Sequence, residues 1–258
     1  MSIRLYLIIP VFNEEGNVGN LVESLRVAQS ELLPEVDLQV VFVDDGSRDT
    51  TVSRIRAAGG GIDVTVLEHG TNKGPGAAFA TGFAHCAAFL ESQDWIVTME
   101  GDNTSSLDTL KHMLIRRKEG YDVVLASPYL YGGGLANVKA HRAFLSFAAN
   151  EMVKAMLGIR GIQSFSCFFR LHSAPIIGRL QDIYGPAIIE SAGFECMVEM
   201  LAKLVRVGAR ISEVEMVMDW TKRRGASKMN VMKTIRGYFR LFALRKRILR
   251  GRGKAELL

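Results

Sequence analysis

The first half of the chain alternates short apolar runs with helical periods. Residues 3–11 (IRLYLIIPV) read as a buried strand halted by Pro10. From about Asn17, Val18, Leu21, Val22 and Leu25 recur on one helical face. A second strand, LQVVFVDDGS (38–47), closes on Asp44-Asp45-Gly46-Ser47, and a helix opens near Asp49-Thr50-Thr51, residues with N-cap character. DVTVLE (63–68) alternates as a third strand, followed by the turn HGTNKGPG (69–76) and an Ala-rich helix from Ala77 to about Leu90. Asp94–Met99 is the fourth strand, 107–118 a helix, and YDVVLAS (121–127) a fifth strand. Alternation with connections of a few residues predicts an α/β chain: a mostly parallel central sheet with helices on both faces.

The second half keeps no such rhythm. Gly132-Gly133-Gly134 reads as a mobile loop, and 139–157 as an amphipathic helix carrying His141 and Arg142. SFSCFFRLHS (164–173) is strand-like with Arg170 towards its end, 193–207 is a helix with Glu195 and Glu199 one turn apart, and Ile211–Met218 is a further strand. The loop DWTKRRGASK (219–228) holds four cations. In residues 230–250, Val231, Ile235, Tyr238, Phe239, Phe242 and Ile248 gather near one side of a helix, interleaved with Lys233, Arg236, Arg240, Arg245 and Arg247. These patterns divide the chain into a catalytic body, 1–229, and a basic amphipathic C-terminal helix, 230–258.

Composition narrows the classes. With 258 residues, 48% of them hydrophobic, the chain can bury one large core. Its apolar runs fall short of the roughly 18–20 residues that span a bilayer, and the N terminus carries no secretory pattern. Three scattered cysteines without a CxxC spacing suit a reducing cytosol and argue against a disulfide framework or a zinc site. The net charge of +5 is uneven: residues 1–221 carry a net of −7 and residues 222–258 a net of +12. Such a tail calls for an anionic partner. An anionic membrane surface fits a basic amphipathic helix, although the same pattern also fits a helix packed on the body with a solvated basic side. Nucleic acid is not expected, because no helix-turn-helix or aromatic-basic platform is present.

In open α/β sheets ligands bind beyond the carboxyl ends of the strands. Asn13/Glu14, Asp44/Asp45, Asn72/Lys73 and Glu100/Asp102 all fall just past predicted strand ends, which marks one binding edge. No Walker motif occurs, and no GxGxxG follows the first strand. Glu100 and Asp102, taken alone an acidic turn, can hold a divalent cation with oxygen ligands, and Gly101 lets a phosphate approach the backbone. Asp44 suits a ribose hydroxyl or base N–H, or a simple helix cap, and Lys73 suits a phosphate, or solvent at a turn.

IIPVFNE (8–14), VVFVDDGSRDTT (40–51), NKGPGAAFATGF (72–83), the EGD stretch, SPYLYGGG (127–134), FSCFFRLH (165–172), GFECMVEML (193–201) and RRGASK (223–228) occur in this order. Together they resemble the family-2 glycosyltransferases of the GT-A fold, most closely the polyprenyl- (dolichyl-) phosphate mannose synthase group. The resemblance implies that Pro10, Phe12, Glu14 and Asp44 hold the nucleotide of a sugar donor, with Asn13, Asp45 and Lys73 beside them. It implies Mg²⁺ or Mn²⁺ on Asp102 and Glu100, acceptor-phosphate contacts from Arg142 and Arg170, and a donor-facing loop with Arg223, Arg224 and Lys228. Three departures stand out: Glu100 replaces the usual Asp, Thr104 the usual Gln, and the TSGFR-like segment has lost its glycine. The implied activity is inverting transfer of a mannose- or glucose-type sugar to polyprenyl phosphate or another lipid acceptor, at the cytoplasmic face of a membrane. Two alternatives remain open: transfer to a saccharide or lipid hydroxyl with Glu195 as base, and a non-catalytic nucleotide-sugar-binding protein.

Overall fold

The computed structural model describes residues 3–32, 35–138, 140–225 and 231–243. Strand β1 (Ile3–Val11) leads into α1 (Val18–Val27), β2 (Val36–Asp44) into α2 (Thr51–Ala58), and β3 (Asp63–Glu68) into α3 (Pro75–Ala87). Then come β4 (Trp95–Thr98), α4 (Asp108–Lys118), β5 (Val123–Ser127), β6 (Gly134–Ala136) and α5 (Ala140–Leu157). The chain continues through β7 (Arg170–Ser173), α6 (Ala174–Tyr184), α7 (Cys196–Arg206), β8 (Ile211–Glu215), β9 (Val217–Asp219) and α8 (Val231–Ala243).

Seven strands form the main sheet in the order β3-β2-β1-β4-β7-β5-β8. All neighbours are parallel except β7, which runs antiparallel to both β4 and β5. The continuous apolar run of β1 follows from burial on both sides. Leu5, Leu7 and Ile9 face the core shared with Leu21 and Leu25 of α1, Ile55 of α2 and Met113 of α4. Tyr6 and Ile8 face the opposite core, with Phe79 and Phe83 of α3, Leu180 of α6 and Met200 of α7. Each such side chain taken from water contributes about 1.5–3 kcal/mol, so a charge at Ile8, which is fully buried, would break the sheet's central strand. From β1 the chain order runs outward both ways, to β2 and to β4, and this reversal opens a crevice at their carboxyl ends.

The observed elements depart from the expected pattern at four places. Pro10 lies inside β1, which runs on to Val11. The triple glycine is not wholly loop, since Gly134 begins β6, which pairs in parallel with β9 as a separate small sheet. The segment 164–173 is strand only over its last four residues, so Arg170 opens β7 instead of closing it. The strand expected over 211–218 divides at Met216, whose N–H donates to Ser127 O and whose carbonyl accepts from Gly134 N–H.

Of the C-terminal helix expected over 230–258, the structure describes α8, Val231–Ala243, and residues 230 and 244–258 lie outside the described residues. Tyr238 and Leu241 of α8 are buried in the core that covers α3, α6 and α7. Helix α8 therefore packs on the body through Tyr238 and Leu241. No described helix is long and apolar enough to cross a membrane.

Candidate active site

A cavity of about 880 Å³ opens at the crevice between β1 and β4. Pro10, Phe12 and Glu14 line it after β1, Asp45 after β2, Lys73 from the turn before α3, and Glu100, Gly101 and Asp102 after β4. The second half of the chain adds Phe168, the loop 190–195, Arg223, and Thr234, Gly237, Arg240 and Leu241 of α8. The cavity thus joins segments more than 200 residues apart in sequence.

The end of β4 carries its acids on a close backbone contact. A Cβ at Gly101 would fall 2.8 Å from Pro10 O, so only glycine lets this turn lie against β1. Glu100 accepts from Ser105 Oγ (3.0 Å) and the Phe168 N–H (3.3 Å). Burial, and then the neighbouring charge of Asp102, push its carboxyl from the ordinary 4.5 to about 7. Asp102 Oδ1 accepts from Thr104 Oγ1 (2.7 Å), and its Oδ2 meets Arg223 Nη1 at 3.0 Å. Thr104, where the family commonly has Gln, therefore steadies Asp102.

The other predicted acids divide between structural and open roles. Asp45 holds the turn before α3, its carboxylate accepting from the N–H groups of Lys73 (2.9 Å) and Gly74 (2.8 Å) and lying 2.8 Å from His69 Nδ1. Asp44 Oδ2 accepts from the N–H groups of Gly46 and Ser47, whereas its Oδ1 is buried without a hydrogen-bond partner among the described residues. Asn13, with a left-handed φ of 51°, ties the end of β1 to the loop after β2, accepting from Arg48 N–H at 2.8 Å. It does not line the cavity.

Arg170 is a correction. Its side chain is fully buried, and its guanidinium donates to the carbonyls of Phe165, Cys167 and Met197 at 2.7–2.8 Å. It is absent from the cavity wall and braces the 165–168 segment, which carries Phe168 to the cavity. A phosphate contact from Arg170 is therefore not supported by the structure. The Arg142 side chain and Lys228 lie outside the described residues. Arg224 contributes its backbone instead of a side chain at the wall: its N–H donates to Asn17 Oδ1.

Several wall residues escape a reading of motifs. Phe168 stacks on Phe194 with ring centroids 5.6 Å apart, and both line the cavity. Backbone contact joins the loop 190–195 to the first turn of α3, where Gly76 N–H donates to Ala192 O at 2.8 Å and a Cβ at Gly76 would collide with Ser191 O. That loop is held from below by a buried pair, Glu199 accepting from the Glu190 and Ser191 N–H groups and Lys203 donating to the Ala187 and Ile188 carbonyls. Arg240 lines the cavity and makes no hydrogen bond or ion pair among the described residues. Glu195 faces the same cavity, and its carboxylate lies against Gly237 of α8, where a Cβ would fall 2.5 Å from Oε2.

Two carboxylates on one wall, one held near neutrality by burial and by the other, the second met by a guanidinium, make a place that calls for positive charge. Among the described residues no set of three or more His, Cys, Asp and Glu side chains gathers as a complete metal shell. Glu100 and Asp102 suit a hard divalent ion that takes its remaining oxygens from phosphates and water.

The sequence family described as glycosyl transferase family 2 matches residues 6–174. Polyprenol monophosphomannose synthase of Mycolicibacterium smegmatis is 27% identical over 255 residues, 97% of this chain and 91% of that protein. Undecaprenyl-phosphate mannosyltransferase of Micrococcus luteus is 30% identical over 229 residues, 88% of each chain. Among solved structures, glucosyl-3-phosphoglycerate synthase from Mycobacterium tuberculosis, in complex with Mn²⁺, UDP and phosphoglyceric acid, superposes with a TM-score of 0.64. The match covers 99% of this chain and 82% of that one at 16% sequence identity, a likeness of fold.

Proposed function

The chain belongs to glycosyl transferase family 2, and from that premise we propose an inverting glycosyltransferase that moves a mannose- or glucose-type sugar from a nucleoside-diphosphate donor to polyprenyl phosphate. The observation that carries the reading is the composition of the large cavity's wall. The Glu100/Asp102 carboxylates stand there with Lys73 and Arg223, and Arg240, unpaired among the described residues, lies beside the apolar Phe168, Phe194 and Leu241. The names of the relatives from M. smegmatis and M. luteus support the acceptor class.

On this reading Pro10, Phe12 and Glu14 receive the nucleoside; Asp44 does not line the cavity, and its Oδ2 holds the Gly46–Ser47 turn. Lys73 and Arg223 meet the diphosphate. Mg²⁺ or Mn²⁺ held by Asp102 and Glu100 would supply further positive charge to the leaving group. The acceptor's phosphate oxygen forms the new bond at the anomeric carbon as the bond to the donor's diphosphate breaks, with charge growing on the leaving oxygen where Lys73 and Arg223 stand. A phosphate monoester, with a second pKa of about 6, is already largely dianionic at neutral pH and needs positioning instead of a base. Arg240 can position it bidentately.

On this reading exposed apolar side chains of α5 and α8 meet lipid. Phe144 is 68% and Phe147 50% exposed on α5, and Phe239 is 57% and Phe242 43% exposed on α8. Helix α5 packs against α8, which also carries Arg236 and Arg240. This combination suits peripheral attachment to an anionic surface at the cytoplasmic side.

The test is transfer of radiolabelled sugar from a nucleotide donor to polyprenyl phosphate with Mn²⁺. Asp102→Ala abolishes it on this reading, and full activity in that variant refutes the metal assignment. Because Glu195 lines the same cavity, a hydroxyl acceptor is the competing reading. In that case Glu195→Gln stops turnover with donor binding intact, and polyprenyl phosphate is inert.

A further inference from the structure

Asn17 stands at the N-cap of α1, where an asparagine ordinarily accepts from the helix's own first-turn N–H groups. Here it does not: its side chain makes no capping hydrogen bond. Only 2% exposed, its amide turns to a residue 207 positions away. Asn17 Oδ1 accepts from Arg224 N–H at 2.7 Å, and Nδ2 donates to Arg224 O at 2.9 Å and to Glu14 Oε2 at 2.5 Å. One carboxamide thus takes both main-chain groups of a single residue, as a neighbouring strand would. That fixes both the position and the direction of the backbone at Arg224.

The consequence falls on the preceding residue. Arg223 reaches Asp102 Oδ2 at 3.0 Å, and both side chains are largely buried at the cavity wall. Upstream, Asp219 Oδ1 accepts from the Thr221 N–H at 3.0 Å and from Asn137 Nδ2 at 2.9 Å. Arg223 therefore lies between two anchored points, Asp219 and Arg224. An arginine presented from an anchored backbone loses less freedom when it engages an anion than one on a free loop.

We propose that Asn17 is a positioning residue for the donor site: it holds the Arg224 backbone so that the Arg223 guanidinium is set at Asp102, where a nucleoside diphosphate is received. The diphosphate rests on the functional reading above, whereas the Asn17–Arg224 clamp stands independently of it. Glu14, which lines the cavity, shares its carboxylate with the clamp, so a ligand that touches Glu14 also touches the group that orients Arg223.

Asn17→Asp separates this role from helix capping. Asp and Asn cap almost equally well, so a capping role predicts little effect. In the clamp, the substitution puts a carboxylate oxygen where Nδ2 stood, facing Arg224 O and Glu14 Oε2 with no hydrogen between them. Amide exchange of the ligand-free full chain in EDTA is the first readout. In Asn17→Asp and Asn17→Ala the Arg224 amide exchanges at least about tenfold faster, while the Leu25 amide of α1 in Asn17→Asp stays as protected as in wild type. Calorimetric binding of UDP and of GDP in Mn²⁺ is the second readout. Both variants weaken the tighter-binding nucleotide about tenfold, as does Arg223→Ala, and Asn17→Asp combined with Arg223→Ala loses no more than Arg223→Ala alone. Unchanged Arg224 exchange in Asn17→Asp, or fully additive losses in the double variant, overturns the proposal. Wild-type protein that binds neither nucleotide overturns the donor reading instead, and the exchange result still decides for or against the clamp.

Discussion

Replacing Glu100 by Gln tests the acidic pair while keeping both partners, because the amide oxygen can accept from the Phe168 N–H and the amide N–H can donate to Ser105 Oγ. In the metal-free protein the Glu100 carboxyl sits at about 7 against an ordinary 4.5, raised by burial and then by Asp102. The folded state therefore holds a proton that the unfolded chain gives up between those values. Stability must fall as pH rises through this window and level off above it. The span from 4.5 to about 7 corresponds to about 3 kcal/mol, an upper limit because Glu100 opens onto a cavity that water enters. Urea unfolding in EDTA from pH 5 to 8.5 reads the effect, and subtracting variant from wild type cancels the other titrating groups. Glu100→Gln should match wild type near pH 5 and exceed it at pH 8 by up to about 3 kcal/mol. Curves that run parallel across the window would refute the account of the pair. The same samples given Mn²⁺ at pH 8 supply a second check: wild type gains stability, and Glu100→Gln gains much less. Equal gains would remove Glu100 as a ligand while leaving Asp102 in place.

Other outcomes depend on single residues. Arg240→Ala should raise the KM for polyprenyl phosphate by about 10–100-fold, the range of a lost charge-assisted hydrogen bond, with the donor KM within about twofold; an unchanged acceptor KM moves the acceptor phosphate elsewhere. His172 is fully buried with neither ring nitrogen partnered among the described residues, and burial lowers its pKa to about 3. His172→Leu relieves two unsatisfied nitrogens but gives up the edge contact with Phe83, for a net gain of about 1–2 kcal/mol at pH 7 in chemical denaturation. Wild type should also lose stability relative to this variant as pH falls from 6.5 towards 3, because the unfolded histidine takes up a proton that the folded one refuses. Combined Phe144→Ser and Phe147→Ser should weaken co-sedimentation with anionic vesicles severalfold and lower Tm only slightly, through the lost edge contact of Phe147 with Tyr129; unaltered binding would place the lipid face elsewhere.

How far the molecule could be read from its sequence depended on whether a residue's environment was set by its neighbours in the chain. Strand β1 was legible because Leu5, Tyr6, Leu7, Ile8 and Ile9 are all buried and so leave an unbroken apolar run. Asp44, Glu100 and Asp102 were legible as a polar edge, because strand ends in a parallel sheet fall on one side whatever the pairing. Strand β7 was legible as a strand but not in its bounds or burial, since Arg170, His172 and Ser173 are buried only by virtue of lying between β4 and β5. A guanidinium suggests a ligand until three carbonyls are seen to consume its donors. The C-terminal helix was ambiguous for a related reason: Tyr238 and Leu241 face the core, Phe239 and Phe242 face out, and apolar residues on both sides do not declare which is buried.

Asn17 carries the point furthest. The same asparagine before the same helix is compatible with local capping or with the distant clamp, and both satisfy its amide. Only tertiary structure breaks the tie, by bringing a residue 207 positions later within 2.7–2.9 Å of it. The frame of this protein is set by hydrophobic period, whereas the electrostatics of its site are set by such long-range choices. Substitutions that respect local propensity but break a distant pairing, Asn17→Asp above all, are therefore the ones that should change ligand binding with the fold left intact.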